Sequence, residues 1–154
     1  MRYNQVKDLM EWAAGYHARM ARQYSAAADA AEHERLAMAL NYLASSELTM
    51  KSGLEALFHD GSDQREVLEL WFDESGDFPQ PPLLEALAEQ DVAGSLDELT
   101  ATAVESHHQL QRLYEHRASR AKVAPEETFF TTLAQGHAAE ARKLVASLQE
   151  LEGV

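Results

Sequence analysis

Histidine and glutamate recur in this chain at spacings that would let several of them serve one metal ion. His17 reappears as His107 at a shift of ninety positions, Glu47 aligns with His137 under the same shift, and Glu140 stands three residues after His137. Residues three apart on a helix are neighbours on one face, so one helix can offer both an imidazole and a carboxylate to a cluster. Those two ligand types suit iron(II), manganese or zinc, and the pattern does not choose among them. A lone His on an apolar helix face is more often a hydrogen-bonded core residue. The opposing expectation is therefore a buried polar network in which these side chains bond one another.

The elements that must position these residues follow from the same repeat. Tyr24, Ala28, Ala31, Leu43, Ala44 and Leu54 recur without a gap as Tyr114, Ala118, Ala121, Leu133, Ala134 and Leu144. Self-similarity at a fixed period marks a repeated structural unit. Val6, Leu9, Ala13, Tyr16, Met20 and Tyr24 return at three- and four-residue steps, which is the pattern of a long amphipathic helix over residues 4 to 31. Leu36, Leu40, Leu43, Glu47, Met50 and Leu54 continue that period with no Pro or Gly between the two series. The repeat supplies the missing boundary. Arg35 aligns with Pro125, which reads as the first residue of the last helix with Glu126 and Glu127 at its positive end, so a turn is expected near residues 32 to 35.

The first hairpin thus spans about residues 4–58 and the second about 96–151, with a crossover over 59–95 inside a single domain. Asp63 with Glu66 suggests a capping box for a short helix running through Trp71 and Phe72, and Ser95 with Glu98 suggests another that opens the third long helix. Between them, residues 76–82 read as a break and residues 83–90 as a second short helix. Two hairpins with short loops and one long crossover give an all-α, ferritin-like four-helix bundle.

Composition removes several function classes. The chain has 154 residues, 13 Lys plus Arg and 26 Asp plus Glu, for a net charge of -13. Such a surface repels phosphate backbones and anionic lipid, so neither nucleic acid nor membrane is an expected partner. There is no cysteine, which excludes disulfides, thiolate zinc sites and a cysteine-held electron-transfer centre within this sequence. The first residues lack the apolar core of a signal peptide, and a cytoplasmic location is the default expectation.

The chain resembles the rubrerythrin branch of the ferritin-like superfamily over nearly its whole length. The likeness rests on a Tyr seven residues after the first-helix ligand position, here Tyr24 and Tyr114. It rests also on Leu-Ala-x-x-ligand-x-x-ligand, here Leu43-Ala44-x-x-Glu47-x-x-Met50 and Leu133-Ala134-x-x-His137-x-x-Glu140. In that family two helices each give a Glu and two each give Glu-x-x-His to a di-metal centre. This chain has His17 and His107 in place of the first pair of Glu, Met50 in place of one His, and the last motif with its ligand types exchanged.

The resemblance implies a site built from His17, Glu47, His107, His137 and Glu140. Tyr24 and Tyr114 lie two turns beyond His17 and His107 on the same faces, where they read as core residues with a polar contact whose hydroxyls could orient ligands. Four carboxylates neutralise two divalent ions, whereas Glu47 and Glu140 neutralise one, so one divalent transition metal (iron, manganese or zinc) is expected. His107, His137 and Glu140 would surround it with Glu47, and His17 would face Met50, which reads as a gap-filling core residue. An oxidase or peroxidase activity is implied, with an external electron donor and an ordinary homodimer. The alternative is a catalytically silent bundle acting as a structural or partner-binding protein. His33, His59, His108 and His116 read as surface residues, and Trp12, Trp71, Phe72 and Phe78 as packing between helices and crossover.

Overall fold

The computed structural model describes residues 4–59, 63–72, 82–89, 92 and 94–152. Four long helices dominate: α1 (Val6–Ala30), α2 (Glu34–Ala56), α5 (Leu96–Ser119) and α6 (Ala124–Glu152). Two short ones, α3 (Arg65–Leu68) and α4 (Pro82–Glu89), lie between α2 and α5. Helix α1 packs along α2 and α5 along α6, and the two hairpins meet chiefly through α2 against α6 and α5. Corresponding helices begin at Val6 and Leu96, and at Glu34 and Ala124, each pair related by the ninety-residue repeat.

Local chemistry explains the boundaries. The Asp8 carboxylate accepts from the backbone N–H groups of Asn4 and Gln5 at 3.2 and 3.0 Å, which fixes the chain as it enters α1. The turn after α1 occupies residues 31–33, one or two positions before the expected turn, and Glu34 and Arg35 already belong to α2. Helix α6 opens one residue ahead of Pro125, whose missing N–H costs nothing in a first turn. Ser95 caps α5 as expected, its Oγ accepting from the N–H of Glu98 at 3.2 Å.

The crossover departs from the sequence reading at Trp71 and Phe72, which are not helical. Helix α3 lasts one turn, and Trp71 then forms an isolated antiparallel bridge with Gln5. The N–H of Val6 donates to the Leu70 carbonyl at 3.0 Å and that of Phe72 to the Asn4 carbonyl at 2.8 Å. The orphan donor at the start of α1 is thereby satisfied by an extended strand of chain rather than by a helix. Extended backbone alternates its faces: Trp71 is 67% exposed and packs nothing together, while Phe72 is buried against Phe130 with the Arg117 guanidinium 4.1 Å above its ring. Helix α4 runs where residues 83–90 suggested and is tied to α1, the Trp12 indole N–H donating to Glu85 at 3.0 Å. The expected break over 76–82, with Phe78, lies outside the described residues except for Pro82.

One connected apolar core links all four long helices, with Leu9 and Met20 from α1, Leu43 from α2, Leu110 from α5, and Phe130 and Leu144 from α6. Within it, the Tyr16 hydroxyl and Ser106 Oγ meet at 2.6 Å. These two residues are repeat equivalents, so α1 and α5 face each other at matching positions. Among the described residues no helix is long and apolar enough to cross a membrane.

Candidate metal centre

At that meeting point the core stops being apolar. His17, Glu47, His107 and His137, one from each long helix, are 0%, 3%, 2% and 6% exposed. Each hairpin contributes a bonded pair thirty residues apart: His17 Nδ1 with Glu47 Oε2, and His107 Nδ1 with His137 Nδ1 at 3.0 Å. The pairs are joined by stacking, since the His17 and His137 rings lie 5.8 Å apart at an interplanar angle of 14°. Four of the five residues singled out in the sequence therefore converge on one buried place.

Glu140 stands at its edge. It is half-buried, and its Oε1 accepts from the Ser46 hydroxyl at 2.7 Å, across the α2–α6 interface. Its charge is nonetheless felt inside: Glu47 first and Glu140 after it oppose the effect of burial on His107. Burial, the largest influence, holds the His107 imidazole below its ordinary range. The His137 imidazole is held well below it, by burial first and then because a positive charge on His17 or His107 would oppose a second one beside it. Burial thus favours the neutral form of both rings, and one donates its Nδ1–H to the other.

His17 is arranged differently. Its Nδ1–H donates to the Glu47 carboxylate, and its Nε2 is buried with no hydrogen-bond partner in the protein. A carboxylate bonded to one ring nitrogen fixes the tautomer and makes the other nitrogen a better base or ligand. Met50 and His17 both border the cavity between α2, α3 and α6.

The tyrosines expected to orient ligands act through their rings and their burial. Tyr114 stacks on His137 at 5.5 Å, and its fully buried hydroxyl has no partner in the protein. Burial raises the Tyr114 hydroxyl pKa above the ordinary range, so it stays protonated. Tyr24 is raised well above that range by burial and then by the Glu47 charge, which places it near the polar centre. His33, His59 and His116 are exposed as expected, whereas His108, next to His107 in the chain, is half-buried and adds to what lowers the His107 imidazole.

Two contributors escaped the sequence reading. Ser46 was passed over although it precedes Glu47, because nothing in its type says which carboxylate it will hold. Tyr16 and Ser106 are unlike residues at equivalent positions, so a search for identities did not find them. Looking for complementary polar pairs at the repeat spacing would have done so.

No protein-family model, curated protein or solved structure matches this chain. The case for a metal therefore rests on the donors themselves. Among the described residues no group of three or more His, Asp or Glu is preassembled around one point. The His107–His137 pair can take an ion once the Nδ1–H shared between the rings moves to Nε2 of the ring that carries it, which frees both Nδ1 lone pairs. Two nitrogens bound at right angles to one six-coordinate ion, each at about 2.0–2.1 Å, lie about 2.9 Å apart, close to the observed 3.0 Å.

Proposed function

We propose that this chain is a metal-binding protein of ferritin-like, rubrerythrin-like descent, its four long helices forming a bundle around one divalent transition metal. The ion, iron, manganese or zinc, would be held by His107 and His137, with Glu47 and Glu140 supplying the two negative charges that balance it. The observation that carries this reading is the buried, neutral nitrogen pair 3.0 Å apart beside those carboxylates. A redox-active ion there would supply the capacity to bind and reduce dioxygen or peroxide, with electrons from an external donor, since the chain has no cysteine to hold a relay of its own.

The protein's own part is chemical positioning. Glu47 bonds His17 Nδ1 and so holds the His17 ring in place. Tyr114 stacks against the His137 ring and leaves a protonated hydroxyl beside it. Glu140 is kept in reach by Ser46. The surrounding apolar core excludes water, which strengthens every charge interaction inside.

Elemental analysis of protein purified without a histidine tag tests the reading. About one ion per chain is expected from charge balance, and two would overturn that argument. His137→Ala or Glu140→Ala should abolish stoichiometric metal, whereas Met50→Leu should retain it, because Leu conserves volume and apolarity at a position that gives no ligand. A specific observation favours a second reading: His17, Glu47, His107 and His137 already bond one another in two pairs, with His17 Nε2 left over. A silent structural or partner-binding bundle would need nothing more, and absence of affinity for iron, manganese and zinc would decide for it.

A further inference from the structure

Helices α2 and α6 touch where Ser46 bonds Glu140, and beyond that bond a cavity of about 840 Å³ lies between them, with α3 along its edge. Its floor is apolar, made by the buried Leu54, Val67 and Phe129 and the half-buried Met50, Leu57 and Leu133. Gly53, Asp63, Glu66, Thr128 and Thr132 also border it and are all exposed, so it is a trough open to solvent rather than an enclosed pocket. Along α6 it runs from Pro125 to Gly136, about 17 Å at the helical rise of about 1.5 Å per residue. A small molecule is held by walls that bury most of its surface. A long open trough matches instead about three turns of helix laid in with one face down.

Two further features say what kind of helix it would be. Among the described residues five large apolar side chains are exposed, and three of them stand at the ends of elements that border the trough. Phe58, 39% exposed, follows the lining residue Leu57; Val123, 46% exposed, precedes the lining residue Ala124; Trp71, 67% exposed, comes just after α3. Exposed apolar side chains gathered around an apolar trough mark a surface for another protein, and Trp is a frequent anchor in such surfaces. The second feature is charge. The described lining residues include the carboxylates Asp63 and Glu66 and neither Lys nor Arg. Lys51 and Arg65, on the flanking α2 and α3, are already paired with Glu55 at 3.0 Å and Glu69 at 3.7 Å.

We infer that this trough is the docking site for a basic amphipathic helix of a partner protein. Apolar side chains at positions i, i+3 or i+4, and i+7 of that helix lie on the floor formed by Leu54, Val67, Phe129 and Leu133. Its Lys and Arg side chains flank that stripe and meet Asp63 and Glu66. A cation beside Trp71 gains further from the face of the exposed ring. Charge selects against the other protein occupants: an acidic helix meets two carboxylates on the wall, and a second copy of this chain brings a net charge of -13 to a surface that carries the same. The inference concerns the outer surface and does not rest on the metal reading.

The test uses the full chain and a fluorescein-labelled peptide of Leu and Lys, about fourteen residues long, with every Leu on one helical face. Fluorescence anisotropy at physiological salt reads its binding, so that weak long-range attraction is screened. Saturable binding of one peptide per chain is expected. An isomer of the same composition with Leu spread around the helix should bind about tenfold more weakly or worse, and so should the peptide with Glu in place of Lys. Thr132→Arg, at the exposed edge of the trough, should weaken the Leu-Lys peptide about tenfold, as should Asp63→Lys combined with Glu66→Lys. Asp29→Lys combined with Glu115→Lys makes the same charge change at exposed positions of α1 and α5 and should weaken it less than about twofold. These are exposed positions, so the variants should melt within a few degrees of the wild type. No saturable binding, equal binding of the isomer, or equal losses in the two double-lysine variants would overturn the inference. Sedimentation of the chain alone adds one more outcome: a dimer that Thr132→Arg dissolves would mean that a second copy fills the trough, which also overturns it.

Discussion

Tyr16 and Ser106 offer the sharpest test of how the two hairpins meet. Tyr16 is 0% exposed and Ser106 is 2% exposed, and their hydroxyls bond at 2.6 Å between α1 and α5. Ser106→Ala leaves the Tyr16 hydroxyl buried without its partner, at a cost of about 2–3 kcal/mol. Tyr16→Phe leaves the smaller Ser106 hydroxyl, which can turn back to a carbonyl one turn earlier in its own helix, so the cost falls to about 1 kcal/mol. Removing both leaves no unpaired group, and the double variant should be no worse than the milder single one. For a chain of this size about 1 kcal/mol moves the melting temperature by about 2–4 °C. Far-ultraviolet circular dichroism of metal-free protein should therefore show a drop of about 2–4 °C for Tyr16→Phe and about 4–12 °C for Ser106→Ala. The double variant should recover most of the larger loss. Effects that simply add, within about 0.5 kcal/mol, would mean that the two hydroxyls do not meet and that α1 and α5 do not face each other at equivalent positions.

Three further outcomes are expected. The metal content of His137→Ala, Glu140→Ala and Met50→Leu is the check on the centre. The metal-free protein should lose stability in acid: burial sets the folded pKa of His107 and His137 below the unfolded value of about 6.5. Their contribution is therefore complete above that pH and is lost as the pH falls through it toward the folded values. Thermal melts of His137→Leu should show a shallower acid slope than the wild type, and equal slopes would refute the assignment. Leu144→Ala, at a fully buried α6 position, should cost about 2–5 kcal/mol in urea unfolding, against about 0.5 kcal/mol or less for Leu48→Ala, whose side chain is 49% exposed.

What the sequence determined by itself is the part of the protein governed by period. Helical repeats of three and four residues mark the four long helices. The shift of ninety fixes the starts of α2 and α6 where no Pro or Gly separates α1 from α2, because both copies must obey the same local rules. The same period places His17, Glu47, His107 and His137 on inward faces, so their convergence was legible before any coordinates. Tertiary structure decided what periodicity does not encode. Trp71 and Phe72 left the helical pattern because the Val6 N–H takes the Leu70 carbonyl, the Asn4 carbonyl takes the Phe72 N–H and Phe130 packs on the Phe72 ring, all partners far away in sequence. Glu140 shares a face with His137 yet turns to Ser46, since a side chain with several rotatable bonds takes the partner that the neighbouring helix presents. The cavity beside His17 likewise belongs to no segment of sequence. It is the space left where α2, α3 and α6 fail to fill one another, and only their packing could reveal that Gly53 and Gly136 border the same void.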